Sequence, residues 1–193
     1  MIQSRLDYLK YKEQDRKALE LSKNNITSKM KELLTPNVIW SFQKQMRKLE
    51  YYTNCKNFGL YKFYILYLKF RYKKISLKLG FSIPINVFGP GLSIVHYGTI
   101  IINYTCKIGA NCRLHACVNI GASGGEKQGP QLGDNVYIAP GAKIYGNITI
   151  PNNTAIGANA VVNKSFEQEN TIIAGIPAKV IGKVDIRKII KHV

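Results

Sequence analysis

The sequence predicts a mainly β protein, a parallel β-helix preceded by an α-helical region. Three observations predict it. Aliphatic side chains recur at every sixth residue in one register, the fourth residue after each is usually small or aliphatic, and Gly often follows directly. A period of six fits neither an α-helix nor an alternating strand, but it is the repeat of a β-helix. The register comprises Ile102, Ile108, Leu114, Ile120, Leu132, Ile138, Ile144, Ile150, Ile156 and Val162.

The geometry of such a repeat follows from strand spacing. Six residues form one side and one corner of a triangular prism, so residues eighteen apart stack about 4.8 Å apart. Gly or Asn at the corners accepts backbone angles that a branched residue resists. A β-sandwich with accidental spacing is the alternative, and ten positions in one register disfavour it.

The helical region is expected to contain three segments. Residues 1–34 are weakly amphipathic among many charges. Thr35 as N-cap and Pro36 at the first helical position predict the start of a second helix. Spacings of four and three predict a third helix over residues 60–79, rich in aromatic and basic side chains, and Gly80 is expected to end it.

The positive charge is concentrated in this helical region. The chain carries a net charge of +17, and residues 1–80 contain 18 Lys and Arg against 6 Asp and Glu. We therefore divide the chain into a basic helical region (1–80), a β-helix domain (81–182) and a basic tail (183–193). The charge favours an anionic partner, for which an anionic membrane, an acidic polymer and a nucleic acid are open, and a merely solvated helical face is the alternative.

Several classes of protein are disfavoured by what the sequence lacks. Residues 1–31 have no apolar core typical of a signal peptide, and no apolar run is long enough to cross a bilayer. The four Cys have neither metal-ligand spacing nor a secretory context, so a reducing cytoplasm is the expected location. Peripheral attachment at the inner face of the cytoplasmic membrane stays open.

His96 is the strongest candidate for chemistry. It lies six residues before Ile102, where every later residue of the register is aliphatic, and a corner-facing imidazole there can act as a general base. A lone His is more often structural, so the surrounding pattern decides. His115, nineteen residues later, is either near the same site or an exposed corner residue.

Five segments resemble the left-handed β-helix acetyltransferases of the hexapeptide-repeat type. The closest branch is the serine acetyltransferase-like one, which includes capsule and exopolysaccharide O-acetyltransferases. The resemblance covers roughly residues 80–182 and implies a left-handed coil and a homotrimer with active sites between subunits. Its segments are 91–99, 118–121 with the following Gly-rich loop, 141–148, 156–162 and 174–179.

The resemblance also implies a mechanism and a cofactor site. Acetyl-CoA is the expected co-substrate, no metal is required, and His96 takes the proton from an acceptor hydroxyl during direct transfer. Backbone N–H groups near Gly121 are expected to stabilise the oxyanion. The implied CoA contacts are Pro140 and Ala158 at the pantetheine arm, Asn163 and Lys164 at the adenine end, and Lys179 at the phosphates.

Two departures from serine acetyltransferase bear on the acceptor. Val95 stands where that enzyme has an Asp before the catalytic His, and the loop before Pro130 lacks its His. We therefore expect a sugar hydroxyl of a bacterial surface polysaccharide, or of its lipid-linked precursor, as acceptor. Candidate acceptor-binding residues are Tyr97, Asn103, His115 and Glu126. Asn103, Glu126 or a backbone carbonyl could orient His96.

Three other functions stay open. Serine O-acetylation is an alternative enzyme activity, and a non-catalytic β-helix scaffold is the alternative without chemistry. Nucleic-acid binding through the basic helices comes last, so nucleic acid is not an expected partner.

Overall fold

The computed structural model describes residues 1–22 and 34–193. The described part contains three α-helices, α1 (Arg5–Ala18), α2 (Val38–Cys55) and α3 (Tyr61–Leu79). The predicted helicity of residues 23–33 lies outside the described residues. Gly80 ends α3 in the left-handed conformation, with φ 76°, as predicted.

The start of α2 differs from the prediction. Asn37, and not Thr35, is the N-cap, because its side-chain oxygen accepts a hydrogen bond from the Trp40 N–H at 2.9 Å. The first four N–H groups of a helix have no partner within the helix, and the N-cap side chain accepts a hydrogen bond from one of them. Pro36 therefore precedes the helix.

Residues from 81 onward form a left-handed parallel β-helix with three faces. Face 1 contains β1 (Phe81–Ser82), β3 (Ile100–Ile102), β6 (Asn119–Gly121), β9 (Lys143–Tyr145) and β12 (Val161–Val162). Face 2 contains β4 (Lys107–Ile108), β7 (Gln131–Leu132) and β10 (Thr149–Ile150). Face 3 contains β2 (Ser93–Ile94), β5 (Arg113–Leu114), β8 (Tyr137–Ile138), β11 (Ala155–Ile156), β13 (Thr171–Gly175) and β14 (Ala178–Lys183).

The predicted register forms the core. All ten of its aliphatic side chains are buried, and Cys106 and Cys112 are buried among them. Later coils pair residues eighteen apart, as Tyr137 with Ala155, whereas the coil with the Gly-rich loop pairs residues 24 apart, as Arg113 with Tyr137. The loop therefore enlarges one corner, and the core residues of successive coils still pair with each other.

A β-hairpin closes the end of face 3. β13 pairs in parallel with β11, and β14 returns antiparallel to β13. The short 3₁₀ helix Ile186–Lys188 follows, and Ile186 and Ile190 pack with Ala155. The sequence reasoning ended the β-helix at Val162 and did not foresee this hairpin, and the proposed division at residues 80 and 182 stays a prediction.

A buried ion cluster joins the helices to the first coil. Arg47, fully buried, donates to the carboxylates of Asp15 at 2.8 Å and Glu50 at 3.0 Å. Asp15 also accepts hydrogen bonds from the N–H groups of Gly91 and Leu92, both at 2.9 Å. The backbone that enters β2, four to five residues before His96, is thus held by the Asp15 side chain of α1, which Arg47 of α2 fixes in turn.

Candidate active site

His96 lies in a turn that is longer than its counterparts. Ile94, eight residues before Ile102, takes the inward position on face 3 and pairs with Leu114, which is only six residues before Ile120. The two additional residues displace His96 and Tyr97 outward, and both are exposed. His96 is therefore a solvent-facing corner residue, and Ile94 replaces it in the core register.

The side chain of His115 from the next coil lies beside His96, and Tyr137 from the coil after that lies beside His115. The rings of His96 and His115 are 6.0 Å apart, and Tyr137 meets His115 edge-on at 5.4 Å. Burial, and then the charges of Arg113 and His96, lower the pKa of His115. The neutral form of the His115 imidazole, next to His96, is therefore favoured more than in a free histidine side chain. The structure brings His115 to the candidate site, where sequence reasoning had left it open.

Small residues continue this edge of the prism along the helix axis. We call the corner between faces 3 and 1 the His96 edge. Strand register aligns Ala116 with Pro140, Pro140 with Ala158, and Ala158 with Gly175. Pro140, Ala158 and Gly175 are exposed and Ala116 is half-buried, so a shallow strip without long side chains runs from His96 toward the hairpin.

Lys179 lies at the far end of this strip. It is exposed on β14 and pairs with Ala174, which directly precedes Gly175. Four coil steps separate the level of His96 from that of Gly175, a distance of about 19 Å at the strand spacing. The strip thus has an exposed imidazole at one end, small side chains along its floor, and an ammonium group at the other end.

The remaining predicted site residues lie along a different corner. We call the corner between faces 1 and 2 the loop edge. Gly121 ends β6 there, and its carbonyl accepts a hydrogen bond from the Gly146 N–H at 3.0 Å. Asn163 and Lys164 follow β12 on the same edge, with the Lys164 ammonium 5.7 Å from the Phe166 ring centroid.

Asn103 and Glu126 make contacts within the loop edge. The Asn103 side-chain oxygen accepts hydrogen bonds from the N–H and the hydroxyl of Thr105, at 2.9 and 2.8 Å. Glu126 accepts a hydrogen bond from the Asn147 N–H at 2.7 Å. Both side chains hold turns of the loop edge in place, and their predicted roles toward an acceptor or His96 stay predictions.

Within a single chain, the predicted site residues therefore lie in two separate groups. His96, Tyr97, His115, Pro140, Ala158 and Lys179 lie along the His96 edge, and Asn103, Gly121, Glu126, Asn163 and Lys164 lie along the loop edge. Sequence reasoning missed Ala116, Tyr137 and Gly175. The strand register relates Ala116 to Pro140, but the spacing of 24 across the Gly-rich loop hides it from an eighteen-residue comparison.

The described residues fit an acetyl-CoA site better than a metal site. Nowhere in residues 1–22 and 34–193 do three or more His, Cys, Asp or Glu side chains gather in a group that could hold a metal ion. The strip of small residues, in contrast, leaves room for a long flexible chain, and the exposed ammonium of Lys179 suits a phosphate group as a point charge.

Comparison with known proteins identifies relatives of this arrangement. Residues 129–164 match the family described as bacterial transferase hexapeptide (six repeats). A serine acetyltransferase of Staphylococcus xylosus is 45% identical over 103 residues, which make up 52% of this chain and 47% of that protein. A serine acetyltransferase of Staphylococcus aureus is 42% identical over 101 residues. The chain thus spans about half the length of the curated relatives it matches.

Solved structures extend the likeness to the helical region. A serine acetyltransferase in complex with CoA is 25% identical with a TM-score of 0.68, and the alignment covers 93% of this chain and 72% of that one. The serine acetyltransferase of Neisseria gonorrhoeae is 26% identical with a TM-score of 0.64, covering 92% of this chain and 66% of that one.

These comparisons contradict the predicted sugar acceptor. The relatives are named serine acetyltransferases, which supports the alternative and not a function in polysaccharide biosynthesis. The prediction relied partly on the missing loop His. Gly129, the residue before Pro130, packs so closely that a Cβ would lie 2.7 Å from the Cys106 sulfur, so local packing accounts for a residue without a side chain there. The predicted resemblance to the left-handed β-helix acetyltransferases of the serine acetyltransferase branch is confirmed.

Proposed function

We propose that the chain is an acetyl-CoA-dependent serine O-acetyltransferase with His96 as its general base. One observation carries the proposal: an exposed His stands at the head of a strip of small residues that ends at a Lys, in a chain whose relatives are serine acetyltransferases. Val95 stands directly before His96 in place of an acidic residue, and this does not remove the ability of the imidazole to accept a proton.

His96 acts on the acceptor hydroxyl. A neutral imidazole accepts the serine hydroxyl proton as the oxygen attacks the thioester carbonyl, because a hydroxyl is a poor nucleophile at neutral pH. The C–O bond forms, the C–S bond breaks, and the imidazolium returns the proton to the departing thiolate. Backbone N–H groups near Gly121 are our candidates for stabilising the oxyanion.

The co-substrate is assigned to the strip along the His96 edge. Pro140 and Ala158 form its floor for the pantetheine arm, and Lys179 at its end provides a cation for the phosphates. Acetyl-CoA supplies the activated acetyl group when bound. Asn163 and Lys164 are proposed to contact the adenine end.

We propose that a homotrimer completes the site. Asn163, Lys164 and Gly121 lie along the loop edge, one face away from His96, so a single chain does not bring them together. An assembly in which the loop edge of one subunit meets the His96 edge of the next would do so. We also propose a cytoplasmic location, which the four free cysteines support, with peripheral contact at an anionic membrane.

Thiol release from acetyl-CoA in the presence of serine tests the activity. Replacing His96 by Asn removes the base while keeping a side chain of similar reach, and we expect kcat to fall by about 10²–10⁴-fold. His192→Asn is the matched control, because His192 lies in the tail beyond the β-helix, and it should retain wild-type kcat. The measurement is CoA formed per active site with saturating serine.

Three results would count against the proposal. Equal turnover by wild type and His96→Asn would exclude His96 as the base. Turnover with other hydroxyl acceptors and none with serine would exclude the acceptor. Failure to bind CoA at all, with the fold intact, would favour the non-catalytic scaffold.

A further inference from the structure

The outward face of α3 carries an apolar stripe that the fold does not use. Helix α3 packs on the rest of the chain through Ile65, Leu68 and Leu79, which are buried. At 100° per residue the opposite side presents a second apolar row. Its members are Phe63, Leu66, Phe70 and Leu77, exposed by 74, 66, 67 and 68%. The row is about 21 Å long at the helical rise, and four large side chains facing water in one line mark an interaction surface.

Cations border this stripe on both sides. The helix contains six Lys and Arg and no Asp or Glu. By helical position, Lys62, Lys69 and Lys73 flank one side of the stripe, and Arg71, Lys74 and Lys78 flank the other, all of them exposed. Every charged side chain in the two rows is therefore a cation.

The charge pattern distinguishes between occupants of the stripe. A second copy of α3 meeting the same face would place Lys rows against Lys rows, with no carboxylate on either helix to compensate. An anionic lipid surface satisfies both components, because acyl chains accept the apolar stripe and headgroup phosphates meet the flanking cations. None of the described helices has the length and apolar content needed to cross a membrane.

We propose that α3 is a membrane-interface helix that docks the protein on anionic phospholipid through Phe63, Leu66, Phe70 and Leu77. Lys62, Lys69, Lys73 and Lys74 hold the headgroup phosphates on either side of the stripe. In the proposed trimer, three copies of α3 add their binding free energies wherever they reach one surface together. The inference does not depend on the acetyl-transfer reaction.

Vesicle flotation of the full-length protein tests it. We expect binding to vesicles rich in phosphatidylglycerol at low salt, release at high salt, and little binding to phosphatidylcholine alone. The variant Phe63→Ser/Phe70→Ser should bind at least tenfold more weakly, because it removes two inserted side chains. The variant Lys62→Gln/Lys69→Gln/Lys73→Gln should bind on the order of a hundredfold more weakly, since each of the three cations contributes about fivefold.

Two controls make the result specific. Leu6→Ser removes a Leu that is 76% exposed on α1, away from the stripe, and should leave vesicle binding unchanged. His96→Asn should float like wild type, so that failure of the proposed enzyme and failure of the membrane proposal are separate results. Acetyl transfer to soluble serine should be unchanged in the α3 variants.

Three outcomes would overturn the proposal. The first is absence of flotation with phosphatidylglycerol vesicles. The second is equal binding to neutral vesicles, which would show that the cations have no role. The third is a smaller assembly mass for Phe63→Ser/Phe70→Ser by light scattering, which would make the stripe an interface between copies of this chain.

Discussion

Cys117 has a left-handed backbone conformation. At the equivalent corner of the following coils the same conformation is adopted by Gly and Asn, which tolerate it better. Cys117 has φ 64°, and the aligned positions in the next two coils are Gly141 at φ 78° and Asn159 at φ 55°. A left-handed conformation costs an ordinary L-residue roughly 1–2 kcal/mol, and Gly and Asn tolerate it. The corner is therefore strained at the coil next to His96.

This strain predicts a stabilising substitution. Cys117→Asn should raise the free energy of unfolding by about 1 kcal/mol, because Asn adopts the left-handed region more readily than Cys. Chemical denaturation measures the change. The reciprocal variant Asn159→Cys should lower the stability by a similar amount, and an equal response of both sites in the same direction would contradict the explanation.

At single residues, sequence reasoning identified His96 but not the reason for its exposure. The six-residue register places His96 at a core position, whereas the structure gives that position to Ile94. The signal was present in the spacing of eight between Ile94 and Ile102, but a turn of two additional residues cannot be recognised without knowing which aliphatic residue pairs with Leu114.

At the scale of the elements, the packing of successive coils at the corner between faces 2 and 3 depends on glycines. Each of these glycines lies directly against the backbone of the next coil. A Cβ on Gly89 would lie 2.7 Å from the carbonyl carbon of Gly109, and a Cβ on Gly109 would lie 2.6 Å from that of Gly133. Real Cβ atoms do not approach backbone this closely. Successive coils can therefore meet at this corner only where the side chain is absent.

We expect Gly109→Ala to lower the free energy of unfolding by about 1–3 kcal/mol, the usual cost of forcing additional atoms into a packed site. Gly182→Ala is the matched control, because a Cβ there meets nothing within 4 Å, and its stability should not fall. Denaturant midpoints of the two variants give the comparison. Equal midpoints would show that the coils separate at little cost.

The elements differ in how far the sequence predicts them. Ten aliphatic positions were enough for the β-helix, since each depends on a local period that repeats. The hairpin of β13 and β14 was missed because its strands leave the period of six: Ala155 pairs with Ile172, seventeen residues on, and not eighteen. The start of α2 was misplaced by a competing Thr-Pro pair two residues before the actual cap.

At the scale of the whole molecule, the helices and the β-helix are joined by charges without access to water. Arg47, Asp15 and Glu50 are all buried, and the cluster connects α1, α2 and the first coil. Removing one member of a buried cluster leaves the other charges buried without a partner. This lowers stability by more than the intact cluster adds to it.

Arg47→Ala should therefore lower the free energy of unfolding by about 3–5 kcal/mol. Arg71→Ala removes an exposed Arg of α3 and should change it by less than about 0.5 kcal/mol. Both are measured by denaturation of the full chain. A loss below about 1 kcal/mol in Arg47→Ala would mean that the helices do not depend on the cluster.

Long-range organisation of this kind is beyond sequence reasoning here. Asp15 lies 76 residues before Gly91, and no local pattern relates a carboxylate in a charged helix to an N–H in a distant turn. The separation of the candidate site onto two edges was likewise hidden, because the period of six shows which residues face inward and not which corner each turn occupies.

The strip from His96 to the hairpin has a length that is counted in coils. Each coil advances the chain by about 4.8 Å, so this interval can grow or shrink only in whole steps. The loop over residues 121–130 enlarges a coil sideways and adds nothing along the axis, since Ile120 and Ile144 still pair directly. The size of the loops at the corners and the length of the strip along the β-helix axis can therefore change independently of each other. A descendant of this chain could remodel its loops residue by residue, but it could change its reach only by gaining or losing a block of about eighteen residues.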